Sequence, residues 1–432
     1  MSISRPALLL IGLLILFAVI GIWCGPPLQG LWRWPAALLI MMAAWERFRL
    51  TNSYTLQRQI SPVLPLGEAC HYTLTIGNHS NVLLYLETQA DYPHNLSGNA
   101  NLQRWQLKAG NSQSHTLTII PKQLGTTELG AVYLKQLGQY GICWWTRRIS
   151  DHIPLRVEPV RLTHNQQVIG IQSLGNRYSR YLQSSGLEFL ELQDYRTGDA
   201  LRNIDWKATA RRGKPMVRRF SRDQCLEMVV LVDCGRSSRL QSGNLDRLHH
   251  YVNTAAKLSE YACLHGDRIA NIAYAQQVLA KTGMAGGMHH LSHIRLLLGQ
   301  LSALNETANA LNATLEIKQV LKRRGLVVFL TEIEQPEAAL QMLQAVKLLS
   351  AKHQVLVASL EDTQLYESLK KPARLWQDPY RQFAGLEYLR GRELTRKKLQ
   401  ALGVDITCGT AAELDEQILL YYHHQRDRIS AA

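Results

Sequence analysis

The chain has 432 residues, of which 46% are hydrophobic and 19% are charged, and its formal net charge is +14. This length and composition exclude a disordered chain and leave room for two or three separately packed cores. The positive charge favours an anionic partner, and by itself it does not choose among nucleic acid, a lipid surface and an acidic protein. Seven scattered cysteines without CxxC spacing argue against a disulfide framework or a zinc site, and they fit a reducing compartment.

Two apolar stretches open the chain. Residues 7–25 are uncharged over about the length that crosses a bilayer as a helix, and residues 28–45 form a second apolar segment. Because Arg5 and Arg47 flank the pair, the positive-inside rule places both ends in the cytoplasm. We therefore expect a transmembrane helical hairpin over residues 1–50, in the inner (plasma) membrane, with the folded domains cytoplasmic. A cleaved signal peptide and an interfacial second helix are the alternatives.

Residues 51–160 change to a period of two. Leu74 and Ile76 alternate with Thr73 and Thr75, and similar short runs are separated by glycine, asparagine and proline. This pattern predicts a β-sandwich of immunoglobulin-like type. No His, Asp or Glu cluster lies in this part of the sequence, which favours a spacer or an interaction module.

Residues 226–432 alternate between apolar strands and amphipathic helices. The predicted strands are 226–233, 268–275, 277–280, 326–333, 354–360 and 404–408, and the predicted helices are 245–265, 290–304, 313–324, 336–353, 379–402 and 411–424. Such alternation indicates a mostly parallel sheet covered on both faces, an open α/β fold. Ligands bind at the carboxyl ends of the strands in these folds, which directs attention to residues 233–238 and 331–334.

The loop after the first of these strands reads DCGRSS. It resembles the metal-ion-dependent adhesion site of von Willebrand factor A domains, with Asp233 and Ser237 in matching positions and Gly235 in place of the middle serine. The loop at Thr331 stands where that fold often carries an aspartate, and Thr282 is a candidate for the distant threonine. The resemblance implies a von Willebrand factor A-like domain, with a degenerate Mg²⁺ site as one hypothesis. The alternative is that Asp233 caps a turn.

Residues 161–225 link the two predicted domains and contain a dense charged stretch, residues 186–220. From Tyr195 onward, eight arginines and lysines are set against Asp199 and Asp205. Arginine forks suit carboxylates and planar anionic partners, and aromatic faces can hold them. A solvated basic loop held by internal salt bridges is the alternative.

We interpret this stretch as a structured collar that joins the domains. Gly198 and Asp199 are predicted to form its turn, Trp206 is predicted to be its buried anchor, and the outer arginines are the expected partner surface.

The same stretch resembles the signature of the membrane-associated family catalogued as domain of unknown function fifty-eight, roughly G-x-E-F-x-x-L-R-x-Y-x-x-G-D-x-x-R-x-I-D-W-x-x-x-A-R. The matching residues are Gly186, Glu188, Phe189, Tyr195, Gly198, Asp199, Arg202, Ile204, Asp205, Trp206, Ala210 and Arg211. The resemblance implies paired N-terminal spans, a β domain and a von Willebrand factor A-like domain, which together cover nearly the whole chain. It also implies a MoxR-type AAA+ ATPase as partner and a role in assembling or maturing other proteins, and it supplies no catalytic residues.

We therefore expect a non-enzymatic adaptor that acts at the membrane. The sequence has no GxxxxGK[ST] phosphate-binding loop, and neither a small-molecule substrate nor a cofactor other than the possible Mg²⁺ is evident. The residues predicted to bind the partner or to shape the signature are Glu188, Tyr195, Asp199, Arg202, Asp205, Trp206, Lys207 and Arg211.

Two other functions are open at this point. The basic stretch suits phosphates and stacked bases, so nucleic acid or anionic lipid headgroups form the main alternative, although Asp199 and Asp205 within it count against nucleic acid. An enzyme with Glu188 and these aspartates as paired carboxylates, assisted by His249 or His250, is the other.

Overall fold

The computed structural model describes residues 2–23, 32–48, 54–99, 101–162, 188–197, 199, 201–221, 225–332, 336–361, 363–372 and 375–431. Internal contacts divide the chain into two compact units, Met1–Glu158 and Pro159–Ala432.

The first unit combines two helices with short strands. Its helices are α1 (Arg5–Trp23) and α2 (Arg33–Phe48). Its strands are β1 (Ser2–Ile3), β2 (Tyr54–Gln59), β3 (Val63–Pro65), β4 (Cys70–Asn78), β5 (Leu84–Ala90), β6 (Leu96–Gly98), β7 (Gln103–Leu107), β8 (Ser112–Pro121), β9 (Gly125–Glu128), β10 (Val132–Leu137), β11 (Cys143–Ile149) and β12 (Pro154–Glu158).

Two antiparallel sheets of this unit share one apolar core. The sheet orders are β1-β11-β10-β5-β7 and β2-β4-β8-β6, and a third, three-stranded sheet has the order β3-β12-β9. Alternate residues of β4, among them Leu74 and Ile76, pack with Leu86 of β5 and Trp105 of β7 in a single buried cluster. Trp105 keeps its indole N–H bonded, since Nε1 donates to Thr88 Oγ1 at 2.8 Å.

The prediction of two transmembrane helices is wrong. Among the residues that the structure describes, no helix combines the length and the apolar character needed to cross a membrane. Helix α2 has 16 residues, about 24 Å of axial rise against a hydrocarbon core of about 30 Å, and it carries a buried acid, Glu46. The start of α1 is fastened to the sheet: β1 pairs with β11, and the buried Ser4 hydroxyl bonds the Gly141 carbonyl.

Glu46 ties α2 to the turn between β10 and β11. Its carboxylate accepts hydrogen bonds from the backbone N–H groups of Tyr140 at 2.7 Å, Ile142 at 3.3 Å and Cys143 at 3.3 Å. Gly138 leaves room for this carboxylate, because a Cβ there would lie 2.3 Å from the Glu46 carboxyl carbon and would displace the side chain. The C-terminal end of the second apolar segment is therefore packed within this unit.

The second unit contains helices on a six-stranded sheet and a separate two-stranded hairpin. Its helices are α3 (Trp206–Arg212), α4 (Arg247–Leu264), α5 (Met288–Leu298), α6 (Ala310–Val320), α7 (Pro336–Ser350), α8 (Thr363–Lys370), α9 (Asp378–Ala401) and α10 (Ala411–Ala431). Its strands are β13 (Glu188–Asp194), β14 (Met216–Ser221), β15 (Glu227–Asp233), β16 (Gln241–Ser242), β17 (Leu245–Asp246), β18 (Arg268–Tyr274), β19 (Val278–Lys281), β20 (Leu326–Leu330), β21 (Gln354–Leu360) and β22 (Asp405–Gly409).

The six-stranded sheet has the order β19-β18-β15-β20-β21-β22. It was expected to be mostly parallel, and it is a mixed sheet: β19 pairs antiparallel with β18, whereas the other neighbours are parallel. Strand β15 is buried from Met228 to Asp233, as expected for a central strand covered on both faces. The carboxyl ends of β15, β18, β20 and β21 meet at one edge, called the carboxyl edge below.

Candidate functional site

The signature segment folds as an antiparallel hairpin with a helix in its connection. Strand β13 pairs with β14 from Glu188↔Ser221 to Asp194↔Met216, and a short 3₁₀ turn and α3 lie between the strands. Helix α3 ends at Gly213, whose φ of 66° is a left-handed conformation that glycine adopts readily and that commonly terminates helices. The predicted collar is therefore a compact element with its own backbone hydrogen bonds.

Asp205 holds this element together. Its Oδ1 accepts from the backbone N–H groups of Lys207 and Ala208, both at 3.0 Å, which makes it the N-cap of α3. Its Oδ2 lies 2.8 Å from Arg218 Nε on β14. The Arg218 hydrogen bond and these backbone bonds lower the pKa of Asp205. Asp205 is thus a structural residue whose charge is already matched inside the segment.

Asp199 has a similar local task. Its Oδ2 accepts from the Arg196 backbone N–H at 2.9 Å, and its own N–H donates to the Arg196 carbonyl at 3.0 Å. Both bonds close a turn, as the sequence predicted for this position, while Gly198 lies outside the described residues. Asp199 and Asp205, two of the carboxylates considered for catalysis, thus both accept hydrogen bonds from the backbone.

Trp206 is the main correction in this segment. It was predicted to be a buried anchor, and its side chain is 72% exposed. Helix α3 faces the hairpin with the half-buried Ala208 and Thr209, whose hydroxyl accepts from the Met216 N–H at 3.0 Å. The position of Trp206, at the first residue of a seven-residue helix, leaves its ring in solvent.

Exposed residues occur along the whole described segment, and those around α3 are of most interest here. We define the signature surface as Arg202, Trp206, Lys207 and Arg211, all of which are exposed. Of the other predicted site residues, Tyr195 is half-buried beside it, and the backbone of Glu188 lies in β13.

A second candidate site lies at the carboxyl edge, around Asp233. Its Oδ2 accepts from the Thr331 hydroxyl at 2.5 Å, its Oδ1 accepts from the Gly235 N–H at 2.7 Å, and its carbonyl accepts from the Ser238 hydroxyl at 2.7 Å. Burial raises the pKa of Asp233 to about 6, although these hydrogen bonds act in the opposite direction. The turn-capping alternative for Asp233 describes these contacts well.

A small cavity adjoins this carboxylate. It measures about 10 Å³, room for about one water molecule, and Asp233, Ser237 and Thr307 contribute to its lining. Tyr274 also lines it, and its buried hydroxyl has no hydrogen-bond partner among the described residues. The candidate distant threonine, Thr282, is elsewhere: its hydroxyl accepts from the Asn271 N–H at 2.8 Å. Thr307 lines the cavity, and the sequence analysis did not single it out, since it lies in an irregular stretch before α6.

These residues offer little to a divalent cation. Mg²⁺ takes six oxygen ligands, and the Asp233 carboxylate already accepts protein hydrogen bonds on both oxygens. A serine is hard to restore at Gly235, because a Cβ there would lie 3.0 Å from Asp233 Oδ1 and from Ala308 Cβ. Within the described parts of the chain, no three His, Cys, Asp or Glu side chains converge as metal ligands. The oxygen atoms around Asp233 therefore do not form a complete set of Mg²⁺ ligands. The degenerate Mg²⁺ site at Asp233 and Ser237 stays an untested prediction.

Glu332 forms a buried network beside this loop. Its Oε1 accepts from the Tyr251 hydroxyl at 2.7 Å and from the Leu360 N–H at 3.0 Å, and its Oε2 accepts from the Ser359 hydroxyl at 3.0 Å. Arg247 Nη1 lies 3.6 Å from Oε2. Burial and the neighbouring Glu332 carboxylate raise the pKa of Tyr251 well above its ordinary range. One sign of this cluster is visible in the sequence: Arg247 and Tyr251 are four residues apart, so they lie on the same face of α4.

The two histidines considered for catalysis are packed on α4. His250 Nε2 lies 2.9 Å from the Ser242 carbonyl, and His249 Nδ1 lies 3.8 Å from Asp246. Burial lowers the pKa of both imidazoles. His249 and His250 thus lie beside Asp246 and Ser242. The Asp199 and Asp205 carboxylates have the other partners described above.

Residues 191–369 match a family profile described as "Protein of unknown function DUF58". Proteins described as uncharacterized from Mycobacterium bovis and Mycobacterium tuberculosis are 26% identical over 208 residues, which is 47% of this chain and 63% of theirs. The chain thus matches less than two thirds of the length of these relatives.

Two solved structures that are similar to part of the chain have low TM-scores. A FixG-related protein from Vibrio parahaemolyticus aligns with 25% of this chain and 98% of its own, at 9% identity and a TM-score of 0.18. The native conformation of Escherichia coli alpha-2-macroglobulin aligns with 26% of this chain and 7% of its own, at 12% identity and a TM-score of 0.21. TM-scores at this level carry no argument about fold or function.

Proposed function

The chain belongs to the DUF58 family of proteins of unknown function, and from that premise we propose a non-enzymatic adaptor that binds an acidic partner protein through the signature surface. The observation that carries the proposal is the exposed Trp206, set among exposed cations on a helix that Asp205 and Gly213 cap from within the segment. Tryptophan and arginine are the residue types that most often dominate binding at protein interfaces.

The charge arrangement of α3 supports an acidic partner. Lys207 and Arg211 are four residues apart, so they are neighbours on the helix surface, and like charges at this spacing cost a helix about 0.2–0.5 kcal/mol. A negatively charged partner surface turns that repulsion into attraction and steers association. Asp205 does not neutralise the pair, because its carboxylate is engaged by the α3 backbone and Arg218.

The partner we propose is a MoxR-type AAA+ ATPase, and the role is assembly or maturation of other proteins, as the family resemblance implies. We also propose a von Willebrand factor A-like assignment for residues 226–432. The mixed α/β sheet and the convergence of Asp233, Ser237 and Thr307 on one cavity support this assignment.

The location of the protein at the inner membrane, with its folded units cytoplasmic, stays a prediction. Exposed apolar side chains of α1, among them Leu9, Leu13 and Leu16, support contact with a lipid surface or another protein. Fractionation of cells, followed by carbonate and salt washes of the membranes, tests this location directly.

The binding proposal is tested with purified full-length chain and a MoxR-type ATPase from the same organism. Trp206→Ala and Arg211→Ala should each weaken binding at least about tenfold, because both remove central contacts. Trp376→Ala is the matched control, since Trp376 is 77% exposed, lies outside the signature segment in the same unit and should leave binding unchanged.

Three results would contradict the proposal. They are absence of binding by the wild-type chain, equal loss in the Trp376 control, and a Trp206-dependent, salt-sensitive affinity for RNA or anionic vesicles in place of the ATPase. The last result would establish the alternative function of the basic stretch.

A further inference from the structure

Helix α9 carries a long exposed stripe of side chains that shares no residue with the signature surface. The helix has 24 residues, about 36 Å of axial rise. Eight positions of the helix and the turn before it, spaced alternately four and three residues apart, are all exposed. They are Trp376, Tyr380, Phe383, Glu387, Arg390, Leu394, Lys397 and Ala401, called the α9 stripe below. This alternation is the heptad spacing by which one helix packs along another.

The opposite side of α9 fastens the helix to its own unit. Arg392 Nη2 donates to the Ser359 hydroxyl at 2.9 Å and to the Leu360 carbonyl at 3.0 Å. Gly385 and Leu399 are buried on the same side, and Leu399 belongs to the apolar core of the unit. The α9 stripe therefore points away from that core, on a helix whose position is already fixed.

Both ends of the α9 stripe are apolar. Tyr380 and Phe383, near its start, are 73% and 69% exposed, and Leu394, toward its end, is 53% exposed. The rings of Trp376 and Tyr380 pack edge-on, with 6.3 Å between their centroids. Because an aromatic side chain buries about 150–250 Å², these three rings offer roughly 300–500 Å² of surface, about half of what one partner buries in a standard interface. An exposed apolar surface of this size marks an interaction site.

The centre of the α9 stripe carries one acid and one base. Glu387 and Arg390 are exposed, and neither forms a salt bridge with another described residue. The nearby Glu393 differs, since it pairs with Arg396 at 2.7 Å. In chain order the stripe is thus apolar, acidic, basic and apolar, a pattern that complements a reversed copy of itself.

Two copies of α9 related by a twofold axis would run antiparallel. With the axis between residues 388 and 389, Glu387 of each copy faces Arg390 of the other, and Phe383 of each copy faces Leu394 of the other. A parallel pair would instead place Glu387 against Glu387 and Arg390 against Arg390, which is repulsive. A shift by one heptad would place Phe383 against Glu387. The charge pattern therefore selects one orientation and one register.

We propose that α9 pairs antiparallel with α9 of a second copy of this chain, through two reciprocal Glu387–Arg390 ion pairs with Phe383–Leu394 contacts on either side. The available area is at the low end for specific interfaces, so the dimer forms reversibly and dissociates on dilution.

The test is sedimentation equilibrium of the full-length chain at concentrations up to about 100 μM, which populate a dimer with a micromolar dissociation constant. A mild detergent covers the exposed apolar side chains of α1. Glu387→Arg and Arg390→Glu should each raise the dissociation constant at least about tenfold, because each places like charges face to face. Arg381→Glu is the matched control, since Arg381 is exposed on α9 outside the stripe and its change should leave the dimer intact.

The reciprocal ion pairs also predict a rescue. An equimolar mixture of the Glu387→Arg and Arg390→Glu chains should form a mixed dimer with about the wild-type affinity, because every charge then faces its opposite. A monomeric wild-type chain, which would leave the helix of another protein as the occupant, would overturn the proposal. So would a dimer that both single variants leave unchanged, or a mixture without rescue. Glu387→Arg should bind the MoxR-type ATPase normally, so this proposal and the adaptor function stand or fall separately.

Discussion

Trp206 in the signature surface is 72% exposed, whereas Asp233 and Glu332 at the carboxyl edge are 1% and 3% exposed. Both regions combine acids with cations, hydroxyls and aromatic rings. At the carboxyl edge, the acids are committed to groups of the same unit, and the carboxylate of Glu332 alone has three hydrogen-bond donors. In the signature segment, the acids are committed in the same way, but the cations and the tryptophan on the outer side are left for another molecule.

The comparison separates two kinds of conspicuous residue. A buried carboxylate with a complete set of partners stabilises the fold, and its removal is felt as a loss of stability. An exposed tryptophan beside cations contributes little to the fold, and its removal is felt as a loss of binding. Substitutions in the two regions should therefore move different measurements.

The largest effect on stability is expected for Glu332→Ala. This change removes the buried carboxylate that lies 3.6 Å from Arg247 and the acceptor of Tyr251 and Ser359, so we expect a loss of about 3–5 kcal/mol in the free energy of unfolding. Urea unfolding followed by circular dichroism measures it.

The control for this experiment is Glu316→Ala. Glu316 forms a partly exposed pair with Lys281 at 2.6 Å, for which we expect less than about 1 kcal/mol. Equal losses in the two variants would show that the Glu332 network is no more important than a surface ion pair.

The next effect is a pH dependence at Asp233. Its pKa is about 6 in the folded chain and about 3.9 in an unfolded one, so the folded state binds more protons between these values. The contribution of this group to stability therefore falls as the pH rises from about 4 to about 6, by roughly 3 kcal/mol in total.

Asp233→Asn should remove this dependence. Relative to the variant, the wild-type chain should lose stability across that window, and urea titrations of both proteins at pH 4, 5, 6 and 7 measure the difference. Parallel curves for the two proteins would mean that the carboxylate titrates normally and that its surroundings are wet.

A smaller, local effect is expected at Asp205. Asp205→Ala removes the N-cap of α3 and the contact with Arg218, so amide hydrogen exchange in residues 207–213 should accelerate several-fold. Asp205→Asn keeps the cap acceptor and should give an intermediate rate. Unchanged exchange in the alanine variant would show that α3 is held by other contacts.

The α/β part of the fold was largely predictable from the sequence. The strand at residues 354–360 was predicted with the bounds that the structure has, because an uninterrupted apolar run between two helices leaves few alternatives. The helix predicted at 290–304 runs from Met288 to Leu298, since the later residues belong to an irregular stretch without helical periodicity. Helix α8, Thr363–Lys370, was not predicted, because it is short and largely polar.

The sites were less predictable, because the local sequence does not determine which side chains become buried. The signature identified Asp205 and Trp206 together, yet one caps a helix and the other lies in solvent. The predicted hairpin of membrane spans failed for a related reason: hydropathy does not reveal that Glu46 is buried against the turn at Tyr140. Thr307 was missed because contacts between distant loops are set by the folded sheet.

The central claim is that Trp206 serves a partner rather than the fold, and one variant tests it most directly. Trp206→Ala should change the free energy of unfolding by no more than about 0.5 kcal/mol, as is usual for an exposed side chain, and should weaken binding to the MoxR-type ATPase at least about tenfold. Both quantities are measured on the same preparation, by urea unfolding and by biolayer interferometry. A loss of 2 kcal/mol or more with unchanged binding would contradict the account, because Trp206 would then be a structural residue.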